Sequence, residues 1–461
     1  MTDTYDVIVL GAGSTGTNVA WYARDNDLAV AVVERELVGG ECSYWACMPS
    51  KALLGPTHVL AAAHRLPGAA AAVGDVDVDA VLVRRDEFIS HLDDSSQAQW
   101  MEGIDADLIR GEGRLSGKRQ VAVTAADGSV RRLTARRAVV LATGSRASSP
   151  PVDGLADIRT WDNRDVTTAK SIPERLLILG GGVVGCEMAQ AYRRLGAEVT
   201  VIEGSDVLVA NFAPWAGELL ADALTADGIT VLTGRSGEHA SRDGEDGPVT
   251  LRLDDGTELA GDELLVAAGR SFNTDDIGLD TVGLEPGGPV EVDDQLRATS
   301  VDGGWLYAAG DVNGRALLTH QGKYQARLVG DIIAGKERSA WADHAAVPQV
   351  MFTDPELAAV GLSEQQARDA GIDVKTVSYE IGSVAGGALL GVKGRAQLVI
   401  DQSERIVVGA TFVGPNAGEM LHAATIAVVG KVPIDTLWHA VPAFPTVSEV
   451  WLRLLEADRG V

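Results

Sequence analysis

Cysteine is scarce in this sequence, with only Cys42, Cys47 and Cys186 among 461 residues. Three cysteines do not make the dense disulfide framework of a small secreted domain. The sequence also lacks any run of about 18 apolar residues, so no transmembrane helix is expected. Its first residues are acidic and lead directly into an apolar run, whereas a secretory signal begins with basic residues. These absences predict a cytoplasmic protein, in which a disulfide would serve catalysis or redox sensing.

Basic residues are also few, with 39 lysines and arginines against 65 aspartates and glutamates and a net charge of −26. A surface this acidic repels nucleic acid and anionic lipid, so neither is expected as a partner. Aromatic residues make up only 5% of the chain, while 46% of its residues are hydrophobic and 53 are glycine. This composition suits α/β layers with Val-rich parallel strands, and the length suits about three domains.

A short apolar run, a glycine-rich loop and a helical stretch occur twice in the chain. The first loop is Gly11-Ala12-Gly13-Ser14-Thr15-Gly16, and the second is Gly180-Gly181-Gly182-Val183-Val184-Gly185. Each copy continues into a second apolar strand that ends in an acid, Glu34 in the first and Glu203 in the second. The first glycines of the two copies lie 169 positions apart, and so do the two acids. The repeat predicts two nucleotide-binding βαβ domains.

The two loops predict two dinucleotide sites. A tight glycine turn at a helix N-terminus lets backbone N–H groups approach a pyrophosphate, and the acid accepts hydrogen bonds from a ribose. FAD and a nicotinamide nucleotide are the obvious pair. Glu203 would repel a 2′-phosphate, and Gly204-Ser205-Asp206 after it contain no arginine, so NADH is favoured over NADPH. The alternative is that each loop is an ordinary tight turn.

The pattern predicts an α/β fold of two Rossmann-like dinucleotide-binding domains, followed by a C-terminal α+β domain at 341–461. The first nucleotide domain would comprise 1–150 and 270–340, and the second 151–269, because apolar strands that end at Gly144 and Gly269 close the two repeats. Segment 234–249 is expected to be a solvated hairpin loop. In the C-terminal domain, we expect strands at 378–382, 396–401 and 406–412, and helices near 416–430 and 446–457.

Cys42 and Cys47 lie five positions apart, shortly after the first glycine loop. Metal binding explains the pair poorly, because no histidine stands at ligand spacing from either cysteine. Inert packing is the other alternative, and it is the interpretation that we give to Cys186. A distorted turn rich in glycine could bring the two sulfurs together, and a helix N-terminus lowers the pKa of a thiol. The pair therefore predicts redox chemistry.

Nearly the whole chain resembles the pyridine nucleotide-disulfide oxidoreductases, which include dihydrolipoamide dehydrogenase, glutathione reductase and mercuric reductase. The most specific motif is Cys-x4-Cys-x-Pro-Ser-Lys at 42–51. The other motifs that carry the resemblance are Gly11 to Gly16, Ala142-Thr143-Gly144, Gly180 to Glu187, Gly310-Asp311 and Pro445 to Glu449. The resemblance implies a flavoprotein that uses a small-molecule substrate and forms a homodimer, with 341–461 as its dimerisation domain.

The resemblance also implies a role for the residues of these motifs. FAD would be held by Gly11, Gly13, Gly16, Glu34, Gly40, Thr143, Gly144, Gly310 and Asp311, and NAD by Gly180, Gly182, Gly185, Glu203 and Gly269. Lys51, paired with Glu187, would lie near flavin N5. Cys47 would receive electrons from the flavin, and Cys42 would exchange with the substrate. Thiol–disulfide exchange would then carry the electrons onward.

One position departs from the family pattern. Dithiol enzymes of the family carry a histidine before Pro-Thr-x-x-Glu that moves protons for the exchange cysteine, but here Phe444 stands at that place. A phenyl ring cannot transfer protons, and a placed acid–base group contributes about 10²–10⁴ in rate. Glu449, which would orient the missing histidine, either acts directly as a catalytic residue or caps a nearby helix. His439 is the other candidate, and its alternative is a surface histidine.

The predicted function is an NAD(P)H oxidoreductase that relays electrons through FAD and a redox-active Cys42–Cys47 disulfide to a small disulfide or related acceptor. The alternative, which Phe444 favours, is reduction of a quinone, an aromatic compound or a metal ion. Tyr44 and Trp45 either pack or stack on a planar acceptor. Mercuric reductases carry a further C-terminal cysteine pair, and this chain has no cysteine after Cys186, so reduction of mercury is disfavoured. A redox sensor without turnover is disfavoured by two intact nucleotide motifs.

Overall fold

The computed structural model of the chain describes residues 3–461. Its strands are β1 (Asp3–Leu10), β2 (Val30–Glu34), β3 (Asp107–Arg110), β4 (Glu112–Gly117), β5 (Gln120–Thr124), β6 (Val130–Leu141), β7 (Ser145–Ala147), β8 (Arg175–Leu179), β9 (Glu198–Glu203), β10 (Thr230–Thr233), β11 (Gly237–Arg242), β12 (Val249–Leu253), β13 (Glu258–Gly261), β14 (Glu263–Val266), β15 (Arg270–Phe272), β16 (Leu306–Ala308), β17 (Gln349–Met351), β18 (Glu356–Gly361), β19 (Val374–Glu380), β20 (Arg395–Asp401) and β21 (Ile406–Gly414). Its helices are α1 (Ser14–Arg24), α2 (Gly40–Tyr44), α3 (Cys47–Arg65), α4 (Val78–Phe88), α5 (Ser95–Gly103), α6 (Asn163–Thr168), α7 (Val183–Arg194), α8 (Pro214–Ala226), α9 (Thr319–Ile333), α10 (Ala342–Ala345), α11 (Glu364–Asp369), α12 (Ala385–Leu389), α13 (Ala417–Val429), α14 (Ile434–Leu437) and α15 (Val450–Arg459). Within this described part, no helix combines the length and apolarity needed to cross a membrane.

The chain divides into two compact units. The first comprises the N-terminal segment up to Pro49, Arg85–Ser148 and Arg270–Asp343. Its main sheet has the order β3-β2-β1-β6-β5-β4, and β16 also pairs with β6. Four pairings in this sheet are parallel, namely β1 with β2, β1 with β6, β2 with β3 and β6 with β16. The apolar run at 7–10 is fully buried because both faces of this parallel sheet are covered, and the first glycine loop follows directly after it.

The second unit comprises Ser50–Arg84, Ser149–Gly269 and His344–Val461. It contains a parallel sheet of order β10-β9-β8-β14, in which β8 leads into the second glycine loop, and an antiparallel sheet of β11, β12 and β13. Its third sheet is antiparallel, with the order β17-β18-β21-β20-β19. Helices α13 and α15 pack on this sheet, and together they form the α+β domain that the sequence predicts.

The structure agrees with most of the elements expected from the sequence. Both repeats are βαβ units, and the three C-terminal strands and two C-terminal helices occur near their expected places. Segment 234–249 is only partly the loop that we expected, because it contains β11. That strand, Gly237–Arg242, buries only Ala240, so it carries almost no apolar signal in the sequence.

Candidate active site

The first glycine loop joins the end of β1 to the start of α1. Gly11 has a φ of +97°, and a side chain there would meet the Ala142 carbonyl oxygen at 2.4 Å. A side chain on Gly16 would lie 1.9 Å from the Gly11 carbonyl oxygen. Gly13 is the N-cap of α1 and provides no side-chain cap, so the first N–H groups of the helix are left for an anion. The loop could therefore hold a pyrophosphate.

The second glycine loop repeats this geometry between β8 and α7. Gly180 has a φ of +118°, and a side chain there would meet the Ala267 carbonyl oxygen at 2.4 Å. A side chain on Gly185 would lie 1.9 Å from the Gly180 carbonyl oxygen. Gly182 is the N-cap of α7 and faces open space, since a methyl group on it would meet nothing within 4 Å. This loop could hold a second pyrophosphate in the same way.

The two acids that follow the loops make matching hydrogen bonds. The Glu34 carboxylate accepts from the Ala12 N–H at 2.6 Å and from the Glu36 N–H at 2.8 Å. The Glu203 carboxylate accepts from the backbone N–H groups of Gly181 at 2.6 Å and of Ser205 at 2.7 Å. Each acid thus stands at the mouth of its glycine loop, which is where dinucleotide folds bind a ribose.

Further predicted cofactor residues surround the first glycine loop. A side chain on Gly40 would meet the Gly13 Cα at 2.8 Å, and one on Gly310 would meet the Thr15 hydroxyl at 2.6 Å. Thr143 follows β6 closely, and its buried hydroxyl finds no hydrogen-bond partner among residues 3–461. A buried polar atom without a partner, beside space that only glycines leave open, fits a polar ligand such as FAD.

Asp311 is held by two residues that sequence reasoning missed. Its carboxylate accepts a hydrogen bond from the Ser145 hydroxyl at 2.5 Å, and the Arg270 guanidinium lies 4.0 Å away. Arg270 also donates to the Ser145 hydroxyl at 2.6 Å. The only signal in the sequence is that Ser145 and Arg270 each follow a predicted cofactor glycine, Gly144 with a φ of +70° and Gly269 with a φ of +126°.

Cys42 lies on the short helix α2, and Cys47 is the first residue of α3. Both are free thiols, and both are half-buried. Hydrogen bonding to Cys47, together with burial, raises the pKa of the Cys42 thiol, while Thr319 and Lys323 act in the opposite direction. The redox-active disulfide that the sequence predicts between them stays a prediction, since both cysteines are free in the structure.

Thr319, the first residue of α9, contacts this pair. Its hydroxyl lies 3.4 Å from the Cys47 sulfur, and Thr319 also acts to lower the pKa of the Cys42 thiol. Sequence reasoning did not identify Thr319, because it is 272 positions away from Cys47 and stands in no motif that we singled out. The hydroxyl could orient both sulfurs or donate to a thiolate.

The aromatic residues between the two cysteines are packed. Tyr44 and Trp45 are 3% and 7% exposed, and they form a small cluster with Ile89. The Tyr44 hydroxyl donates to the Val38 carbonyl oxygen at 3.1 Å. Neither ring offers a free face, so the packing interpretation fits these residues and the stacking alternative does not.

Lys51 and Glu187 form the ion pair that the resemblance implies. The Lys51 ammonium donates to one Glu187 oxygen at 2.7 Å, and the Phe352 N–H donates to the other at 2.9 Å. The same ammonium lies 4.8 Å from the centre of the Phe352 ring. Since Glu187 is buried, these contacts compensate the desolvation of its charge.

The residues near the position of the missing histidine differ in their exposure to solvent. Phe444 is 77% exposed, and His439 is also on the surface. Glu449 is buried, and its carboxylate accepts from Arg453 at 2.7 Å and from the N–H of Ala385, the first residue of α12, at 3.3 Å. These contacts are those of a carboxylate that caps a nearby helix. A catalytic role for Glu449 stays a prediction.

Cys186 lies on α7, in the second compact unit. It is fully buried, and its thiol donates to the Gly181 carbonyl oxygen at 3.3 Å. Burial raises the pKa of this thiol, which disfavours the reactive thiolate. The packing role expected from the sequence fits this environment. Among the described residues, no cluster of His, Cys, Asp and Glu could hold a metal ion.

Known proteins resemble the chain over its whole length. A mercuric reductase from Lysinibacillus sphaericus is 30% identical over 466 residues, which cover 100% of this chain and 84% of the relative. A dihydrolipoyl dehydrogenase from Chlamydia pneumoniae is 31% identical over 461 residues, which cover 98% of this chain and 96% of the relative. The solved structure of a Cu(II) complex of the HOCl-induced flavoprotein disulfide reductase RclA from Escherichia coli has a TM-score of 0.86, 23% identity and coverage of 99% of this chain and 100% of its own, and it shares the fold.

Family matches cover most of the described residues. Residues 5–326 match the family described as pyridine nucleotide-disulphide oxidoreductase, and residues 347–454 match the dimerisation domain of the same family. The second match indicates a homodimer. The two glycine loops, the cysteine pair and the Lys51–Glu187 ion pair lie within the first match. The chain therefore belongs to the pyridine nucleotide-disulphide oxidoreductases, a family of FAD-dependent enzymes that use NAD(P)H.

Proposed function

We propose that this enzyme oxidises NADH and passes the electrons, through FAD and a redox-active Cys42–Cys47 disulfide, to a small disulfide or a related two-electron acceptor. The observation that carries the proposal is the placement of two half-buried free thiols, Cys42 on α2 and Cys47 at the start of α3, beside the Thr319 hydroxyl, which lies 3.4 Å from the Cys47 sulfur. Two thiols at the junction of two consecutive helices need only a local movement to close into a disulfide. FAD, when bound, would supply the two-electron chemistry that links a hydride donor to this pair.

The exchange with the acceptor follows from the two thiols. The Cys42 thiolate attacks one sulfur of the acceptor disulfide, whose S–S bond breaks and releases the other sulfur as a thiolate. Cys47 then attacks the Cys42 sulfur of the mixed disulfide, which closes the Cys42–Cys47 bond and releases the second acceptor thiolate. The dithiol is oxidised by two electrons, the acceptor is reduced by two, and the two thiol protons go to solvent or to the released thiolates.

The second nucleotide site supports NADH as the electron donor. Glu203 at the mouth of the second loop repels a 2′-phosphate. Arg235 is close in the fold, since its N–H donates to the Glu203 carbonyl oxygen, but its guanidinium is paired with Asp255 at 2.8 Å. We expect kcat/KM to be at least tenfold higher with NADH than with NADPH, and Glu203→Ala to narrow that ratio. A higher kcat/KM with NADPH in the wild-type enzyme would contradict this assignment.

An anaerobic titration with NADH tests the relay. If the disulfide accepts the electrons, a long-wavelength absorbance band between a thiolate and the flavin appears after two electrons per FAD. Cys47→Ser should abolish this band, whereas Cys186→Ser is the matched control and should retain it, because Cys186 is buried on another helix. Direct bleaching of the flavin by the first two electrons, with no such band, would refute the relay.

Phe444 favours a second candidate, the reduction of an acceptor that needs no placed proton donor. Its exposed ring occupies the position of the family histidine and cannot supply a proton. Reduction of a metal ion consumes no proton, and the two protons that a quinone takes up on its oxygens can come from water, so neither acceptor requires an acid placed beside Cys42. Two of the similar proteins are a mercuric reductase and a reductase crystallised with Cu(II), as their names state.

A comparison of acceptors separates the two candidates. Steady NADH oxidation should be measured with lipoamide and other small disulfides, with quinones, and with Hg(II) and Cu(II) salts, in the wild type and in Cys42→Ser. A disulfide reductase loses its turnover when Cys42 is replaced. Turnover of quinones that survives this replacement, with no turnover of disulfides in the wild type, would establish the second candidate.

A cytoplasmic location remains a prediction from the cysteine content.

A further inference from the structure

Helix α9 brings a lysine close to the cysteine pair. Its first residue, Thr319, contacts the Cys47 sulfur at 3.4 Å, and Lys323 follows four positions later on the same face of the helix. Side chains on a helix lean toward its N-terminus, so the Lys323 stem extends back over Thr319 and toward the two sulfurs. Lys323 therefore stands on the side of α9 that contacts the cysteine pair.

The charge of Lys323 is not neutralised by an acid. Among residues 3–461, Lys323 forms neither an ion pair nor a hydrogen bond with a carboxylate, although the chain carries 65 acids. The side chain is exposed, while Cys42 is partly buried. An exposed cation that is free of counter-charges can stabilise a nearby anion through space, and a partly buried thiolate is screened less by water than an exposed one.

We propose that Lys323 takes over one part of the missing histidine's work by stabilising the Cys42 thiolate electrostatically, which makes it a positioning residue that acts through Cys42. The inference rests on the proposed function, since it concerns the thiol that would attack the acceptor. Deprotonation of Cys42 releases its proton to solvent, and the ammonium stays protonated throughout. Lys323 lowers the pKa of Cys42, opposing the stronger effects of Cys47 and burial.

Other groups around Cys42 set the conditions for this effect. Cys47 on α3 raises the pKa of Cys42, Thr319 on α9 lowers it, and Glu41 is the neighbour of Cys42 on α2. His320 stands beside Thr319 on α9. Cys47 and Thr319 stay in place when Lys323 is changed, so a change in the ionisation of Cys42 in a Lys323 variant reports the removed charge.

Alkylation of the reduced holoenzyme tests the proposal without any acceptor. The FAD-loaded protein is reduced with a phosphine, and the rate at which iodoacetamide modifies Cys42 is followed from pH 6 to pH 10 by peptide mass spectrometry. Because only the thiolate reacts, Lys323→Gln should shift the pH profile upward and slow the reaction about threefold to tenfold below its midpoint. Lys323→Arg keeps the charge and should stay within about twofold of the wild type.

Arg327→Gln provides the matched control, because it removes one positive charge from the same helix one turn further from Thr319. It should leave the profile in place, and high salt should reduce the difference between wild type and Lys323→Gln. Coincident profiles for wild type and Lys323→Gln, or equal shifts for Lys323→Gln and Arg327→Gln, would overturn the proposal. The relay is judged separately by the NADH titration, so a shifted profile without the thiolate–flavin band would reject the relay and leave the role of Lys323 intact.

Discussion

The Lys51 ammonium lies 2.7 Å from a Glu187 carboxylate whose side chain is only 3% exposed. The lysine side chain is 35% exposed, so the ion pair joins a buried carboxylate to a partly solvent-exposed ammonium group. The second Glu187 oxygen accepts the Phe352 N–H, which ties the carboxylate to the strand-end segment after β17. Glu187 therefore has two compensating contacts, of which one carries charge.

Replacing Lys51 should destabilise the protein by leaving the buried carboxylate with only a neutral donor. We expect Lys51→Met to lower the free energy of unfolding by about 1–3 kcal/mol, less than for a fully buried pair because Lys51 is partly solvated. Urea denaturation of the FAD-loaded protein measures the loss. Glu187→Gln provides the second corner of a double-mutant cycle, and the double variant should lose less than the two single losses together. Additive losses would mean that the ion pair contributes nothing.

A polar cluster on α7 fixes the segment that follows Phe352. Gln190 accepts the Asp354 N–H at 2.7 Å, and the Asp354 carboxylate pairs with Arg194 at 3.1 Å and with Arg65 at 2.5 Å. Burial pushes the pKa of Asp354 upward, but the two guanidinium groups outweigh it and hold the pKa below its ordinary value of 3.8. The ionised carboxylate thus contributes to stability.

The contribution of the ionised Asp354 carboxylate predicts that the free energy of unfolding depends on pH. Because the pKa is lower in the folded protein, the contribution is complete above about pH 4 and is lost as the pH falls through the folded pKa. Asp354→Asn should therefore cost about 1–3 kcal/mol at pH 7 and progressively less as the pH is lowered. Urea midpoints between pH 3 and pH 7 measure this. Asp276→Asn, which removes an 83% exposed partner of Arg114, is the control and should cost at most about 0.5 kcal/mol.

Phe444 gives a direct test of the missing proton carrier. Since its ring is exposed, Phe444→His should not disturb packing, and we expect disulfide turnover to rise by about tenfold or more, because an imidazole can transfer protons near neutral pH. Turnover of quinones should stay unchanged. Val441→His is the matched control, since Val441 is another exposed apolar residue of the same loop. An equal gain in both variants would show that the position of the imidazole does not matter.

The first glycine loop should not tolerate a methyl group at Gly16. The new Cβ would stand 1.9 Å from the Gly11 carbonyl oxygen, which is a backbone atom and cannot rotate away. Gly16→Ala should therefore purify with a strongly reduced content of FAD, measured by absorbance at about 450 nm against protein concentration. Gly55→Ala on α3 is the control, because its Cβ meets nothing within 4 Å, and it should retain full FAD. Normal FAD content in Gly16→Ala would contradict the assigned loop.

Local patterns in the sequence predicted the parts of the fold that are built locally. The two βαβ units follow from apolar runs, glycines and acids that lie within about 25 positions of each other. β11 was missed because it buries one residue, and a half-exposed strand leaves little periodicity. Capping of a nearby helix was one of the two roles expected for Glu449, but its partner Ala385 could not be identified, because α12 lies 64 positions earlier in the chain.

In the candidate site too, the residues that could be predicted are those that stand in short contiguous motifs. The two cysteines, the glycines and the acids stand in contiguous motifs, so their roles could be predicted from the sequence and the resemblance. Thr319, Ser145 and Arg270 act through contacts that join segments more than 100 positions apart. Such contacts depend on how strands and helices meet, and no short pattern encodes them.

Cys186 makes the second nucleotide site observable in the intact protein. Its thiol is sealed against the Gly181 carbonyl oxygen, so a maleimide applied to the native reduced enzyme can add two groups but not a third. Modification of Cys186, the third cysteine, requires the loop between β8 and α7 to open. The rate of this modification therefore measures how often the loop opens. A dinucleotide bound to the loop should slow the modification of Cys186. The rate of this modification would then report whether the second nucleotide site is occupied.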